Sequence, residues 1–385
     1  MSTLQGPESK SPDFFSIPPA AARRVPSDPA PAGNGSSQNR RPKLGFLGVG
    51  WIGRHRLEEI IRSDSAEVVA IADPAEELAA KAQQSAPGAV LCLGLEDLLT
   101  MGLGGLVIAT PSALHAEQAS TALAHGLPVF CQKPLGRTSG ETWRVIREAE
   151  KRDLLLGLDL SYRFMASTRQ IHELCSQGKL GNVYAADLVF HNAYGPDKSW
   201  FYNPKLSGGG CVVDLGIHLV DLALWILGFP RVLNVTSRLF SQGQPVVGRV
   251  GAVEDYAEAR LDLEGGTVVR LACSWKLPAG CDATISGAFY GSQGGARFHN
   301  VNGSFYDFMA ERLDGTKSQV LAAGAEEWGG RAAVHWARRL ASGSGFDPAA
   351  QQFGQVAEVL DAIYGEGETE PSGHAKEFRK PGGAL

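Results

Sequence analysis

The chain has 385 residues, of which 44% are hydrophobic and 20% are charged, and its formal net charge is -5 at pH 7. This length and composition predict a globular protein of two domains. Acidic and basic residues are mixed along the chain without a basic stripe, and no apolar run approaches the ~20 residues that span a membrane. We therefore expect neither nucleic acid nor a membrane as a partner.

Residues 1–42 are rich in proline, serine, alanine and glycine and show no periodic apolar pattern, which predicts a disordered leader. Arg23 and Arg24 are similar to a twin-arginine export signal, but no apolar segment follows them, so we expect no secretion. The six cysteines are scattered without a CxxC pair. They indicate reduced thiols in a cytoplasmic protein, without a disulfide framework or a metal site.

The first ordered element is a short apolar run that ends in a G-x-G-x-x-G pattern, Gly48, Gly50 and Gly53. In a dinucleotide-binding fold, these glycines permit a tight turn, the approach of a pyrophosphate, and close packing of the helix that follows. Trp51 and Ile52 open that helix and belong to the predicted cofactor-binding set. The alternative is a glycine turn that binds no nucleotide.

An acidic residue in the expected place supports the nucleotide hypothesis. The apolar strand 67–72 ends at Asp73, about 20 residues after the last glycine, where a carboxylate binds the ribose hydroxyls. A carboxylate there repels a 2′-phosphate, and the next two residues supply no arginine. The cofactor prediction is therefore NAD, with NADP less favoured, although Arg54 or Arg56 could reach the adenosine side.

Strands and helices then alternate, which predicts a parallel sheet covered on both faces, with ligands at the carboxyl ends of its strands. The predicted helices are 75–85, 95–101, 113–125 and 138–152, and the predicted strands are 89–92, 105–109, 128–131 and 154–159. Two loops follow strand ends and complete the predicted cofactor-binding set with Thr110, Pro111, Ser112, His115, Gln132 and Lys133.

Lys133 is a candidate functional residue because it follows a buried strand and precedes a proline. An ammonium group beside a cofactor can bind a substrate hydroxyl and stabilise negative charge. The alternative is an ordinary surface lysine.

From residue 161 the pattern changes and predicts a second domain, 161–365, after a dinucleotide-binding domain at 43–160. Its predicted helices are 165–177 and 346–364, its predicted strands are 183–191, 232–240, 252–263, 266–276 and 281–290, and residues 366–385 form a loose tail. Short turns, including a hairpin at 264–266, predict an open antiparallel sheet. Such a sheet must cover one face, so we expect a homodimer or homotetramer.

The loop 192–210 combines aromatic side chains and amides, including Asn192, Trp200 and Tyr202. Aromatic faces beside polar groups suit a sugar or cyclic polyol. The alternative is hydrophobic anchoring of a long loop.

Residues 208–228 read as an apolar helix that is interrupted by Asp214, His218 and Asp221 and ends at Gly228. At about 100° per residue, these three groups share one stripe. Buried ionisable groups are paired or functional, and the alternative is a core helix with one hydrogen-bonded Asp–His pair.

Together these motifs resemble the Gfo/Idh/MocA oxidoreductase family over about residues 43–365. The resemblance rests on the glycine loop, on ATPSALH (109–115), CQKP (131–134) and YRF (162–164), and on GGGCVVDLGIHLVD (208–221). It implies a Rossmann domain followed by an α/β domain with an open, mostly antiparallel sheet. It departs from the family pattern at Gln132, where the family has glutamate.

The resemblance also implies NAD(P)-dependent hydride transfer at a carbinol or keto carbon of a sugar, inositol or related polyol. In that picture His218 is the general base, Asp214 orients the substrate, Lys133 binds the reacting oxygen, and no metal is needed. Arg163 joins the substrate-binding set, whereas Asp221 stays outside the catalytic set. Two alternatives remain: a nucleotide-sensing regulator without net turnover, and a redox-assisted NAD-dependent glycosidase.

Overall fold

A computed structural model describes residues 41–249 and 251–365. The predicted leader, except for residues 41 and 42, and the predicted tail 366–385 lie outside the described residues.

The first half of the chain forms a six-stranded parallel sheet. Its strands are β1 (Lys43–Leu47), β2 (Glu67–Ala72), β3 (Val90–Cys92), β4 (Gly105–Ile108), β5 (Val129–Cys131) and β6 (Leu156–Leu158). Its helices are α1 (Trp51–Arg62), α2 (Glu76–Ser85), α3 (Leu95–Thr100), α4 (Ser112–Ala124) and α5 (Ser139–Lys151). The strand order β3-β2-β1-β4-β5-β6 is that of a doubly wound Rossmann sheet. The fold predicted for this half is confirmed.

The second half forms a nine-stranded sheet. After α6 (Ala166–Ser176), its strands are β7 (Val183–Asn192), β8 (Val232–Ser241), β9 (Gln244–Val246), β10 (Tyr256–Leu263), β11 (Val268–Ser274), β12 (Ala283–Gly291), β13 (Gly294–Asn300), β14 (Asp307–Asp314) and β15 (Lys317–Ala325). The order is β15-β14-β13-β12-β7-β11-β10-β8-β9, and every pair is antiparallel except β7 with β11. The open, mostly antiparallel sheet is therefore confirmed. So is its predicted hairpin, where Gly265 and Gly266 both have φ +86°.

The apolar segment that carries Asp214 and His218 is not one regular helix. After α7 (Pro204–Ser207), residues Val212–Gly216 form a π turn, and α8 (Ile217–Ile226) continues as an α-helix. The end predicted at Gly228 is confirmed, because Gly228 has φ +80° and the N–H of Phe229 donates to the carbonyl of Leu224 in a Schellman motif.

The same segment corrects the expectation about apolar runs. Pro204–Ile226 is long and apolar enough to cross a membrane by length and composition, but 89% of its most apolar window is buried inside the protein. The run belongs to the core of this fold, because neighbouring elements cover its apolar side chains.

Two C-terminal helices tie the halves together. They are α9 (Arg331–Ala341), which the sequence prediction missed, and α10 (Gln351–Ile363). Helix α9 packs on α1 and β6, and its Trp336 lies 5.8 Å from Phe130 between ring centres in the Rossmann core. The chain therefore returns to the first domain, whereas the predicted boundary assigned all of 161–365 to the second.

Candidate active site

The glycine loop has the shape that dinucleotide binding requires. Gly48 has φ +85°, and a Cβ there would lie 2.7 Å from the carbonyl of Ala109. A Cβ on Gly53 would lie 2.2 Å from the carbonyl oxygen of Gly48, whereas Gly50 has open space beside it. Two glycines are thus needed for close packing and the third for access. Trp51 and Ile52 are exposed on the first turn of α1, beside this opening.

Asp73 lies next to the loop, at the end of β2. One carboxylate oxygen accepts from the N–H of Val49 at 2.8 Å, and the other accepts from the N–H of Ala75 at 2.9 Å. Each oxygen keeps a lone pair for a further donor. Arg56 is not available to the adenosine side, because it is buried and its Nε lies 2.7 Å from a carboxylate oxygen of Asp159. Arg54 lies 3.6 Å from Glu58 on the same helix.

The two loops at the carboxyl edge of the sheet are joined through His115. Its ring nitrogens lie 2.7 Å from the carbonyl oxygen of Pro134 and 2.6 Å from that of Thr110. Burial lowers the pKa of His115, while the two carbonyl groups oppose that shift. This histidine therefore holds the cofactor loops together. Pro111 is exposed on the rim beside it, and Ser112 is buried at the start of α4.

Gln132 belongs to a buried cluster around Asp159. Its side-chain amide and the hydroxyl of Ser161 donate to the two carboxylate oxygens, one each, and Arg56 supplies the compensating charge. A glutamate at position 132 would place a second carboxylate against Asp159. The glutamine at 132, where the family has glutamate, therefore suits the carboxylate that this chain holds at 159.

Lys133 is paired with Asp214 across the two halves of the protein. Its Nζ lies 2.6 Å from Oδ1 and 2.8 Å from the backbone carbonyl oxygen of Asp214. The other carboxylate oxygen accepts from the indole N–H of Trp275 at 3.0 Å. An ammonium group has three donors, so one remains for a ligand. The sequence prediction missed Trp275, because the contact spans 61 positions and leaves no local pattern.

His218 lies beside this pair, on the first turn of α8. It is buried, its Nδ1 has no hydrogen-bond partner among residues 41–249 and 251–365, and its ring centre lies 4.8 Å from that of Tyr162. No Asp214–His218 hydrogen bond forms. The 100° step used to align these residues does not hold across the π turn that contains Asp214.

The environment keeps the imidazole of His218 neutral. Burial lowers its pKa well below the usual range, and the charges of Lys133 and Arg56 lower it further. Tyr162, whose own pKa is raised mainly by burial, covers one side of the ring. A neutral imidazole can accept a proton.

The predicted substrate-binding residues separate into two groups. Tyr202 packs edge-on against Trp275 with ring centres 5.8 Å apart, and Trp200 stacks on Phe201 at 3.8 Å. Asn192 ends β7, and its side-chain oxygen has no partner within the described part of the chain. Tyr202 and, through Phe201, Trp200 pack around Trp275, the indole that donates to Asp214.

Arg163 is placed elsewhere. Its Nε and Nη2 hold both carboxylate oxygens of Asp221 at 2.9 and 2.5 Å, and its Nη1 donates to Gln352 at 2.8 Å. The guanidinium is therefore committed to a buried ion pair. The structure brings Lys133, Asp214 and His218 together but directs Arg163 away from them.

The chain is similar to known families and proteins. Residues 43–160 match the family described as "Oxidoreductase family, NAD-binding Rossmann fold", and residues 168–297 match the "GFO/IDH/MocA C-terminal domain". A D-glucoside 3-dehydrogenase of Escherichia coli (strain K12) is 30% identical over 199 residues, which is 49% of this chain and 57% of that protein. An inositol 2-dehydrogenase of Leifsonia xyli subsp. xyli is 32% identical over 191 residues, which is 49% of this chain and 54% of that protein.

The fold has counterparts among solved structures. The crystal structure of GenD2 from gentamicin A biosynthesis, in complex with NAD, superposes with a TM-score of 0.71 at 24% identity. The superposition covers 87% of this chain and 96% of GenD2. The whole fold described above is therefore shared, while the chain spans little more than half the length of the two dehydrogenases.

Proposed function

The chain belongs to the Gfo/Idh/MocA oxidoreductase family, and on that premise we propose that it transfers a hydride between NAD and a carbinol or keto carbon of a sugar, inositol or related polyol. One observation carries the proposal: the Lys133–Asp214 pair lies at the carboxyl edge of the Rossmann sheet beside a neutral, buried His218. The dehydrogenase names of the relatives support the same class of substrate.

Lys133 and Asp214 have separate roles in this reaction. When NAD is bound, its nicotinamide supplies the hydride acceptor. Lys133 donates its remaining N–H to the reacting oxygen and stabilises the negative charge that develops there. Asp214 is engaged at both oxygens and holds the ammonium in place.

His218 takes up the hydroxyl proton in the direction of oxidation and returns it in reduction. Its Nδ1 is enclosed by protein, so Nε2 is the ring nitrogen that exchanges the proton. Tyr202, Trp200 and Asn192 present aromatic faces and an amide to the apolar faces and hydroxyl edges of a sugar ring.

A spectrophotometric assay tests this proposal. NAD or NADP is offered with a panel of sugars, inositols and sugar acids, and NADH or NADPH formation is measured, with NAD affinity determined in parallel. We expect turnover with at least one compound. Tight NAD binding without turnover across the panel would favour the nucleotide-sensing regulator. Cleavage of a glycoside without net NADH would favour the redox-assisted glycosidase.

We infer a preference for NAD from Asp73, which faces the ribose site with two lone pairs and no neighbouring cation on the loop that follows it. Asp73→Ser should lower the ratio of kcat/KM with NAD to kcat/KM with NADP by roughly tenfold or more, because the variant no longer repels a 2′-phosphate. Ser63→Ala, on the far end of α1, is a matched control. An unchanged ratio in Asp73→Ser would contradict the inference.

We also infer self-association through the outer face of the nine-stranded sheet. That face carries both signs of charge, with Arg270 paired to Asp187 and Arg260 paired to Asp262, around an open depression of about 530 Å³. Light scattering after size exclusion should give a dimer or tetramer, and a monomer at micromolar concentration would contradict it.

The thiols of all six cysteines are free, in keeping with the cytoplasm as the proposed location.

A further inference from the structure

A further buried carboxylate lies at the start of the segment that carries Asp214. Glu254 is 2% exposed, and its side chain accepts from the N–H of Gly210 at 2.9 Å and from the N–H of Val212 at 2.9 Å. Its backbone carbonyl accepts from the N–H of Cys211 at 3.0 Å. One residue thus satisfies three successive N–H groups where the segment 211–226 begins, which otherwise lack partners at a helix start. Its negative charge also suits that end.

The triple glycine of the sequence is explained by this contact. A Cβ on Gly210 would lie 2.0 Å from the carbonyl oxygen of Glu254, and a Cβ on Gly209 would lie 2.0 Å from the hydroxyl oxygen of Tyr364. Gly209 also has φ +151°, a region that side chains disfavour. These glycines allow Glu254 and Tyr364 to approach the backbone. The glycine motif therefore serves to anchor the start of the segment.

Tyr364 completes the anchor from the end of α10. Its hydroxyl donates to Glu254 at 2.7 Å, and its ring lies under the guanidinium of Arg249, 4.2 Å from the ring centre. Arg249 in turn lies 2.7 Å from a carboxylate oxygen of Asp361. Burial raises the pKa of Glu254, while the hydrogen bonds from Tyr364, Val212 and Gly210 favour the ionised form. The carboxylate is fixed from both sides.

The anchor reaches the backbone of Asp214 and one of the two groups that hold its carboxylate, Trp275. The N–H of Asp214 donates to the carbonyl of Gly210 at 3.1 Å, one turn from the Glu254 contact. The carbonyl of Asp255, the next residue, accepts from the backbone N–H of Trp275 at 2.7 Å. Residues 254 and 255 therefore fix the helix start and the indole relative to each other.

We propose that Glu254 is a positioning residue for the reaction: it sets the orientation in which Asp214 meets Lys133 and Trp275. This rests on the proposed function for its effect on turnover. Its effect on geometry does not depend on that function, because the bond between Trp275 and Asp214 is observable in the resting protein.

The experiment compares Glu254→Gln with Glu311→Gln. Glu311 is a matched control, since it is 5% exposed and paired with Arg297 at 2.7 Å, but it lies on β14 away from Asp214. Glu254→Gln removes the negative charge and places an amide NH2 group, itself a donor, against the N–H of Gly210, where Oε2 of the glutamate accepts at 3.0 Å. We expect kcat to fall about 10- to 100-fold, with less than a threefold change in the Kd for NAD, and Glu311→Gln to keep the wild-type kcat.

Two readouts separate positioning from general destabilisation. Trp275→Phe combined with Glu254→Gln should lower kcat less than the product of the two single effects, because both act through Asp214. In NMR spectra, the indole N–H signal of Trp275 should shift in Glu254→Gln and not in Glu311→Gln.

The outcomes distinguish this inference from the proposed function. If the wild type turns over no compound, the proposed function fails, and the indole signal still decides about Glu254. An unshifted indole signal in a folded Glu254→Gln variant would overturn the positioning role. So would a wild-type kcat in that variant, or multiplicative effects in the double variant.

Discussion

Two ion pairs lie on the same apolar segment and have opposite characters. In the Lys133–Asp214 pair, the side chains are 17% and 18% exposed, and the lysine keeps one N–H unused by Asp214. In the Arg163–Asp221 pair, the exposures are 15% and 1%, and the arginine binds both carboxylate oxygens. Arg163 also lies over the rings of Trp225 and Phe229, at 5.9 and 5.3 Å from their centres.

The difference shows what makes a buried carboxylate functional. Asp221 is saturated by a bidentate partner that is itself packed between aromatic rings, so its pair stabilises the fold. Asp214 holds a lysine at the edge of the cofactor-binding sheet, where that lysine retains a donor for a ligand. The shared position of Asp214 and Asp221 on one stripe of the sequence does not tell the functional carboxylate from the structural one. The geometry of each carboxylate's partner does.

The largest expected effect is on turnover, from Lys133→Met. The variant loses the donor for the reacting oxygen, and we expect kcat to fall by about 10³-fold, in the range for removal of one such donor. Asp214 keeps its bond to Trp275, so the melting temperature should change little. Steady-state kinetics and thermal unfolding measure both. A kcat within tenfold of the wild type would remove the distinction between the two pairs.

The reverse result is expected for Arg163→Met. Asp221 would remain buried without a partner, which costs about 3–5 kcal/mol in the free energy of unfolding. The folded fraction should keep kcat within a few-fold. Urea denaturation measures the loss, and the double variant with Asp221→Leu should recover most of it. A stable variant that has lost turnover would show that Arg163 binds substrate after all.

A smaller effect is expected from Trp275→Phe. The ring is kept, but one carboxylate oxygen of Asp214 loses its 3.0 Å hydrogen bond. Since the Lys133 contact remains, we expect kcat to fall about tenfold, in line with the loss of one buried hydrogen bond of ~1.4 kcal/mol. Trp225→Phe, beside the other pair, should leave kcat unchanged. Equal kcat values for the two variants would contradict the claim that only the Lys133–Asp214 pair supports turnover.

The smallest effect concerns pH. For an imidazole with an ordinary pKa of about 6.5, the neutral fraction falls about fourfold when the pH is lowered from 8 to 6. The pKa of His218 is lowered well below that range, so kcat/KM for oxidation should fall less than twofold from this group. The unfolded chain takes up a proton near pH 6.5 and the folded one does not. The contribution of His218 to stability is therefore full above pH 6.5 and is lost as pH falls below it. An inflection of kcat/KM at pH 6.5 that disappears in His218→Ala would contradict this.

Elements with a local signature could be predicted from the sequence. The glycine loop, Asp73 and the end at Gly228 depend on backbone conformation and spacing, which the residue types encode directly. The hairpin at 264–266 is of the same kind. The alternation of short apolar strands with helices fixed the Rossmann half for the same reason.

Features made by distant contacts could not be predicted. Asp159 meets Arg56 across 103 positions, and Trp275 meets Asp214 across 61. The π turn at 212–216 could not be predicted, because its apolar residues are equally compatible with an α-helix. Helix α9 is a different case: its apolar residues Ala333, Trp336 and Ala337 have helical spacing, so the sequence held a local signal that the prediction missed. The ion pair of Arg163 with Asp221 joins residues 58 positions apart, so the motif around Arg163 gives no information about it.

The most direct test of the central claim uses His218→Ala. With the substrate found in the assay, the variant should bind NAD with an affinity within threefold of the wild type, because the glycine loop and Asp73 are untouched. Its kcat should fall at least 10²-fold, the lower range for loss of a general base. Normal turnover by a folded His218→Ala variant would contradict the account of the site.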